Sequence, residues 1–171
     1  MEIVLVLNDI RSVYNVGAIL RTCDGLGVKR VLLSGYTPCP NDSSKRLPHI
    51  VNKERSAIAK TALGAEKSVD CLYCKNIIAS IKDLQAAGYT LVGLENNVKN
   101  KRIYALGDIK LHKKLGSKIV LILGVEVAGI ADGLLTEMDF IVEIPMCGKK
   151  ESFNVSVAAG IALWELTRLR S

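Results

Sequence analysis

The sequence predicts an α/β fold, a mostly parallel sheet flanked by helices, within a single domain over residues 1–171. Three observations lead there. Apolar runs of strand length alternate with segments of helical periodicity. The joints between them are short and marked by glycine. No repeat, low-complexity tract or linker interrupts the alternation. With 49% hydrophobic and 23% charged residues over 171 positions, the chain can bury a sizeable core and does not read as disordered.

Taken in order, "EIVLVL" and "RVLLSG" read as buried strands. Between them "NVGAILRTCDGLG" sets Val16, Ile19, Leu20, Cys23 and Leu26 at helical spacing, with Asn15 as the expected N-cap and Gly25 and Gly27 at the helix end. Strand, helix and strand with short joints make a βαβ unit, hence parallel strands and a right-handed crossover. "GYTPCPNDSSKRLPH" holds three of the four prolines and reads as a loop, and "SAIAKTALG" reads as helical. The alternation in "VDCLYC" fits a partly buried strand. "NIIASIKDLQAAG" is an amphipathic helix ending at Gly88, followed by strand "YTLVGLE", a basic loop, a short strand "IYAL" and a strong strand "KIVLILG". A short helix at 132–138, strand "FIVEIPM" and a helix from about Asn154 to Arg168 complete the chain. That last helix is apolar nearly all round, which predicts packing on two sides.

Composition narrows the function. "MEIVLVL" is too short for a signal peptide and carries Glu2, and "KIVLILGVEVAGIA" is interrupted by Glu126 before it reaches membrane-spanning length. The expectation is a soluble, cytoplasmic protein with no membrane partner. The five cysteines include a Cys71/Cys74 pair, but zinc would need a second pair, and His49 and His112 are scattered. Reduced thiols and no metal are expected. The formal net charge of +6, from 23 Lys+Arg against 17 Asp+Glu, is compatible with a polyanionic partner. The basic runs "KNKR" at 99–102, "KLHKK" at 110–114 and Lys149-Lys150 fall in expected loops, while an aromatic content of 5% argues against a base-stacking platform for single strands.

Ligands of open α/β sheets collect at the carboxyl ends of the strands, and three such ends carry polar residues here. In "NDIRSVYNVGAILRT", Gly17 and Arg21 lie four apart on one helix face. The segment is either a capped helix with a solvated arginine or a phosphate or ribose seat over a position without a side chain. In "LILGVEVAGIADG", Glu126 is either an exposed carboxylate in a glycine-rich turn or a partner that fixes Arg21. The phosphate-binding signature with its lysine is missing, and "GLGVKR" lacks the third glycine of a dinucleotide fingerprint, which disfavours a dinucleotide-dependent enzyme. In "SFNVS", Ser152 or Asn154 could cap the last helix. Three hydrogen-bonding residues around Phe153 also suit a ligand with polar and apolar parts.

Together the three boxes resemble the SpoU/TrmH family of RNA ribose 2′-O-methyltransferases, within the SPOUT class. The residues carrying the resemblance are Asn15, Gly17, Arg21 and Thr22; then Gly124, Glu126 and Gly129; then Ile144 to Met146, Gly148, Ser152 to Ser156 and Ala158 to Gly160. Val125 and Val127 depart from the Asn and Gly that many members carry there. The resemblance implies a trefoil knot in a cofactor-binding segment from about 118 to 171, a homodimer with the Trp164 helix as interface candidate, and S-adenosylmethionine as cofactor. It implies that Leu94, Gly124, Ile144 and Met146 hold that cofactor through their backbone, with Ser152 and Phe153. Arg21 would meet the RNA, binding a phosphate or helping to activate the hydroxyl. Glu126 would orient Arg21 or its loop, Asn154 would position ribose or cofactor, and Asn15 would support the first motif. Arg11, Lys149 and Lys150 are the candidate RNA contacts, in tRNA or rRNA. The alternatives are a non-catalytic RNA-binding protein with the same fold and a base-methylating SPOUT enzyme.

Overall fold

The computed structural model describes residues 1–41, 47–96, 98, 103–125 and 129–168. Its elements are β1 (Glu2–Asn8), α1 (Val13–Gly25), β2 (Arg30–Ser34), α2 (Pro48–Ala62), α3 (Ala65–Ser68), β3 (Asp70–Cys74), α4 (Ile77–Ala86), β4 (Thr90–Leu94), β5 (Ile103–Ala105), α5 (Ile109–His112), β6 (Lys118–Leu123), α6 (Asp132–Leu135), β7 (Phe140–Glu143) and α7 (Val155–Arg168). The seven strands form one sheet in the order β3-β2-β1-β6-β4-β7-β5, and every pairing between named strands is parallel. The alternation of strands and helices therefore delivers the predicted class.

Side-chain alternation sorts the core into two layers. Ile3, Leu5 and Leu7 of β1 join Ile119, Leu121 and Leu123 of β6 on one face, packed with α1, α2 and α7. Val4, Val6, Val120 and Ile122 point to the other face, where Ile81 of α4 and Leu134 and Leu135 of α6 cover them. β1 and β6 are buried on both faces, which is why they read as unbroken apolar runs. The same alternation divides the C-x-x-C pair. Cys71 lies in the first layer and Cys74 packs against the second, so the two thiols stand on opposite faces of β3. Burial, reinforced by the neighbouring Cys39, Asp70 and Glu66, pushes the Cys71 thiol up to about 12, and burial likewise raises Cys23. Both are core thiols held neutral near physiological pH.

Pair register brings the strand ends level. Asn8 pairs with Ser34, Leu7 with Leu123, and Leu94 with both Leu123 and Val142. The polar boxes that follow β1, β6 and β7 thus reach one edge of the sheet. Among the described residues no helix is long and apolar enough to cross a membrane.

Local details differ from the sequence-based expectation in instructive ways. The N-cap of α1 is Ser12, not Asn15: the Ser12 Oγ accepts the Asn15 N–H at 3.3 Å. α2 begins at Pro48, inside the expected loop, because proline suits the first helical turn. α6 is shorter than expected and ends at Leu135. α7 buries Val155, Ala159, Ala162, Leu163 and Leu166 but leaves Val157, Ile161 and Trp164 exposed, so within one chain it packs on one side only.

Gly17 also serves a purpose other than the ligand space that one of its two readings offered. A Cβ there would lie 2.1 Å from Thr61 Oγ1 and 2.4 Å from the Ile58 carbonyl oxygen. The missing side chain lets α2 cross α1 closely, and Thr61 Oγ1 donates to the Tyr14 carbonyl at 3.0 Å across that contact. Gly17→Ala is therefore expected to destabilise by roughly 1–3 kcal/mol through overpacking. Gly25→Ala, where nothing lies within 4 Å, should be neutral or slightly stabilising. Urea unfolding of the two variants checks the contrast.

Candidate functional site

At the carboxyl edge, between the ends of β4, β6 and β7, lies a cavity of about 490 Å3. Of the residues assigned to a cofactor, Leu94, Gly124, Ile144, Ser152 and Phe153 line it together. Met146 lines an adjoining, more open hollow of about 620 Å3 with Gly148, Lys149 and Lys150. Asn96, Ile144 and Glu151 belong to both hollows.

The wall beyond β6 is closed by a backbone pairing. Val125 and Gly129 exchange backbone hydrogen bonds at 3.1 and 2.8 Å, forming an isolated antiparallel bridge. Gly124 is required because a Cβ would sit 2.3 Å from the Gly129 carbonyl carbon and oxygen. Gly129 is required twice over, by a φ of +69° and by the Glu95 carboxylate, 2.0 Å from where its Cβ would be. Glu126 falls at 126–128, outside the described residues, as does the basic run 99–102.

Glu95 and Asn96, which sequence reasoning passed over, hold the cavity walls. Glu95 Oε2 accepts the Ile130 N–H at 2.6 Å and Oε1 accepts the Asn96 N–H at 3.1 Å. Asn96 reaches the opposite wall: its Nδ2 donates to the carbonyls of Ile144 at 3.2 Å and Glu151 at 3.1 Å, and its Oδ1 accepts the Ile144 N–H at 3.3 Å. Both the N–H and the carbonyl of Ile144 are therefore engaged by Asn96, and its side chain is what faces the cavity. The available signal was the acidic and amide pair directly after "LVGL", where a surface turn would read the same way.

Asn154 caps α7. Its Oδ1 accepts from Ser156 N at 2.9 Å and from Ser156 Oγ at 2.7 Å, which answers the choice between Ser152 and Asn154. Its Nδ2 donates to Asn15 Oδ1 at 3.4 Å, joining the first and third boxes. Phe153 and Val155, on either side of Asn154 in sequence, line the cavity. Arg21 is exposed, lines neither hollow, and has no partner recorded among the described residues. Arg11 is likewise exposed and stands over the Tyr36 ring, 5.5 Å from its centroid. The structure thus brings five of the six residues assigned to a cofactor around one cavity, with Met146 in the adjoining hollow, and pairs Asn15 with Asn154, while Arg21 and Arg11 do not line the cavity.

The mixed lining fits a small molecule with polar and apolar parts. Ser152, Glu95 and Asn96 offer polar groups, Leu94, Ile130 and Phe153 an apolar bed, and the volume falls within the roughly 300–1,000 Å3 of small-molecule sites.

This parallel α/β architecture is shared with solved RNA-modifying enzymes. A crystal structure described as an AdoMet-bound rRNA methyltransferase from Sinorhizobium meliloti superposes with a TM-score of 0.79 at 24% identity, covering 98% of this chain and 56% of that one. The A. aeolicus TrmH/SpoU tRNA modifying enzyme gives 0.77 at 23% identity, covering 99% and 75%. The family model of the SpoU rRNA Methylase family matches residues 2–164, and the chain belongs to that family. Among curated relatives, the 23S rRNA (guanosine-2′-O-)-methyltransferase RlmB of Pseudomonas aeruginosa is 31% identical over 171 residues, which is 100% of this chain and 60% of the relative. The chain spans about three-fifths of the length of the curated relatives it matches.

Removing the Glu95 carboxylate leaves the Ile130 and Asn96 amides unpartnered. Glu95→Ala is expected to destabilise by roughly 1–3 kcal/mol and to speed hydrogen exchange at the Ile130 amide. Glu95→Gln keeps one acceptor oxygen and should retain most of the protection. Amide exchange read by NMR separates the two.

Proposed function

We propose that the chain is an S-adenosylmethionine-dependent methyltransferase acting on a ribose 2′-hydroxyl in RNA, with ribosomal RNA the favoured substrate class. The observation that carries this reading is the cavity at the ends of β4, β6 and β7, where Leu94, Gly124, Ile144, Ser152 and Phe153 converge beside the Asn15–Asn154 pair. Membership of the SpoU rRNA Methylase family supports the chemistry, and the curated relatives that act on 23S rRNA favour the substrate class.

The cofactor supplies a methyl group already activated on a sulfonium, so the protein's task is to orient the hydroxyl and help its proton leave. The apolar bed of Leu94, Ile130 and Phe153 takes an aromatic ring, and Ser152 and the backbone at Leu94 and Gly124 offer hydrogen bonds. Asn154, fixed by capping α7 and by Asn15, orients the ribose. Arg21 carries the planar guanidinium fork that suits a phosphate. It therefore clamps the phosphate next to the target ribose, and that phosphate or a water takes the proton. A position outside the cavity lining suits a phosphate clamp better than a cofactor contact. Glu126 orients Arg21 or the neighbouring loop. Lys149 and Lys150, exposed on the second hollow, extend the RNA contact, and the protein acts in the cytoplasm.

The reading extends to assembly. The segment from about residue 118 onward threads as a trefoil knot; β6 inserted between β1 and β4, and β7 between β4 and β5, supports this. Two copies pair through the exposed stripe of Val157, Ile161 and Trp164, spaced along one side of α7.

Arg21→Ala should abolish methyl transfer to an RNA pool while leaving S-adenosylmethionine affinity nearly unchanged. Isothermal titration and transfer of a labelled methyl group measure the two. Weakened cofactor binding with normal turnover at saturation would refute the clamp, and no transfer by the wild type to any RNA would leave a non-catalytic binding protein. Trp164→Glu should convert the dimer to a monomer in light scattering; an unchanged mass would remove α7 from the interface.

A further inference from the structure

Outside both hollows, the same carboxyl edge carries an exposed aromatic residue over β1, β2 and β3. Tyr36, two residues beyond β2, is 75% exposed, the highest value for a large apolar or aromatic residue among those described. Its loop is nonetheless firmly held. The Tyr36 N–H donates to Asp9 Oδ1 at 3.0 Å, and Tyr73 Oη donates to the Gly35 carbonyl at 2.8 Å. Asp9 and Gly35 adopt positive φ values of 61° and 62°, and a Cβ on Gly35 would lie 2.0 Å from Asp9 Oδ1. Holding a non-glycine residue in that region is costly, so this loop geometry is imposed by its surroundings.

One face of the Tyr36 ring is taken by the Arg11 guanidinium, 5.5 Å from the ring centroid. The nearby Asp9 carboxylate is occupied by the Tyr36 N–H and by Asn8 Nδ2 at 2.8 Å. What remains outward is an aromatic ring pre-positioned by its backbone, with a cation against it. A flat π surface beside a positive charge matches a nucleobase and its phosphate. An apolar protein partner would leave the guanidinium without a counter-charge.

We propose that Tyr36 and Arg11 form a stacking step for one unpaired nucleotide of the RNA, with its base on the Tyr36 ring and its phosphate on Arg11. The inference rests on the reading that the chain acts on RNA. It adds a subsite on the β1–β2–β3 half of the edge, away from the cavity. Low aromatic content disfavours an extended platform, but one held ring is enough for one base.

The test uses the full chain and a single-stranded, mixed-sequence oligoribonucleotide containing 2-aminopurine, with an RNA duplex as comparison. Wild-type protein should bind the strand and quench the 2-aminopurine. Tyr36→Ala should lose about five- to a hundredfold in affinity and abolish the quenching, while Tyr36→Trp restores both. Arg11→Ala should reduce the salt dependence of binding by about one phosphate contact. Unchanged urea midpoints for the variants show that the fold is intact. If Tyr36→Ala binds and quenches like wild type, or if Tyr36→Trp is as weak as Tyr36→Ala, the stacking step is overturned while the methyltransferase reading stands. If the wild type binds neither strand nor duplex, the RNA reading falls and the subsite with it.

Discussion

Glu95 accepts the backbone N–H of Ile130 at 2.6 Å, and the cavity depends on that contact more than on any other. The bond fastens the end of β4 to the turn that follows β6, and it is possible only because Gly129 presents no side chain to the carboxylate. Gly124 completes the constraint from the other side, since any Cβ there would collide with the Gly129 backbone. One residue further on, Asn96 binds Ile144 and Glu151 and so fixes the wall that follows β7. Both walls are therefore held from the end of one strand. The sheet order explains why: β4 lies between β6 and β7, so the two residues that follow it have both loops within hydrogen-bonding reach.

That order is also why Glu95 and Asn96 were not legible as site residues. An acidic and an amide residue after an apolar strand are ordinary turn chemistry. Their meaning comes from which strands lie on either side, a long-range property that no local pattern carries. The strands themselves were legible because burial on two faces leaves a continuous apolar run. The three polar boxes were legible because a parallel sheet sends its functional residues to one edge. Gly17 shows where local reasoning stops. A glycine inside a helix does signal that something needs the space, but α2 is what fills it. The cap of α1 is a similar case. Ser12 and Asn15 are both good capping residues, and their spacing in sequence gives no reason to prefer one. The outcome matters chemically, because with Ser12 as the cap Asn15 sits in the first turn and meets Asn154.

The Asn15–Asn154 bond has a geometric consequence for the two helices that carry it. Thr22 lies 3.9 Å from where a Cβ on Gly160 would stand, so α1 and α7 touch near their starts and again about two turns later. They run side by side in the same direction. Parallel helices align their macrodipoles unfavourably, and two positive ends then meet at one place. Such an arrangement is tolerable where anions are to be held, since a helix N-terminus is already a favourable seat for a phosphate. The fold thus concentrates positive potential at the edge where an RNA backbone would approach, without needing a dense cluster of basic side chains.

The position of β1 explains how one edge can serve two tasks. It lies between β2 and β6, so the segment leaving it separates two halves of the carboxyl edge. On the β6, β4 and β7 side the loops close around a cavity, because Glu95, Asn96 and the paired glycines draw them together. On the β2 and β3 side, Asp9 and Gly35 take left-handed backbone conformations and turn Tyr36 outward. A short polymer bound across this edge would meet the cavity at one end and an open ring at the other. The moderate overall charge, +6 over 171 residues, is consistent with that division. If, as proposed, shape places a ribose and a ring accepts a base, fewer phosphate contacts would be needed to hold an RNA in register.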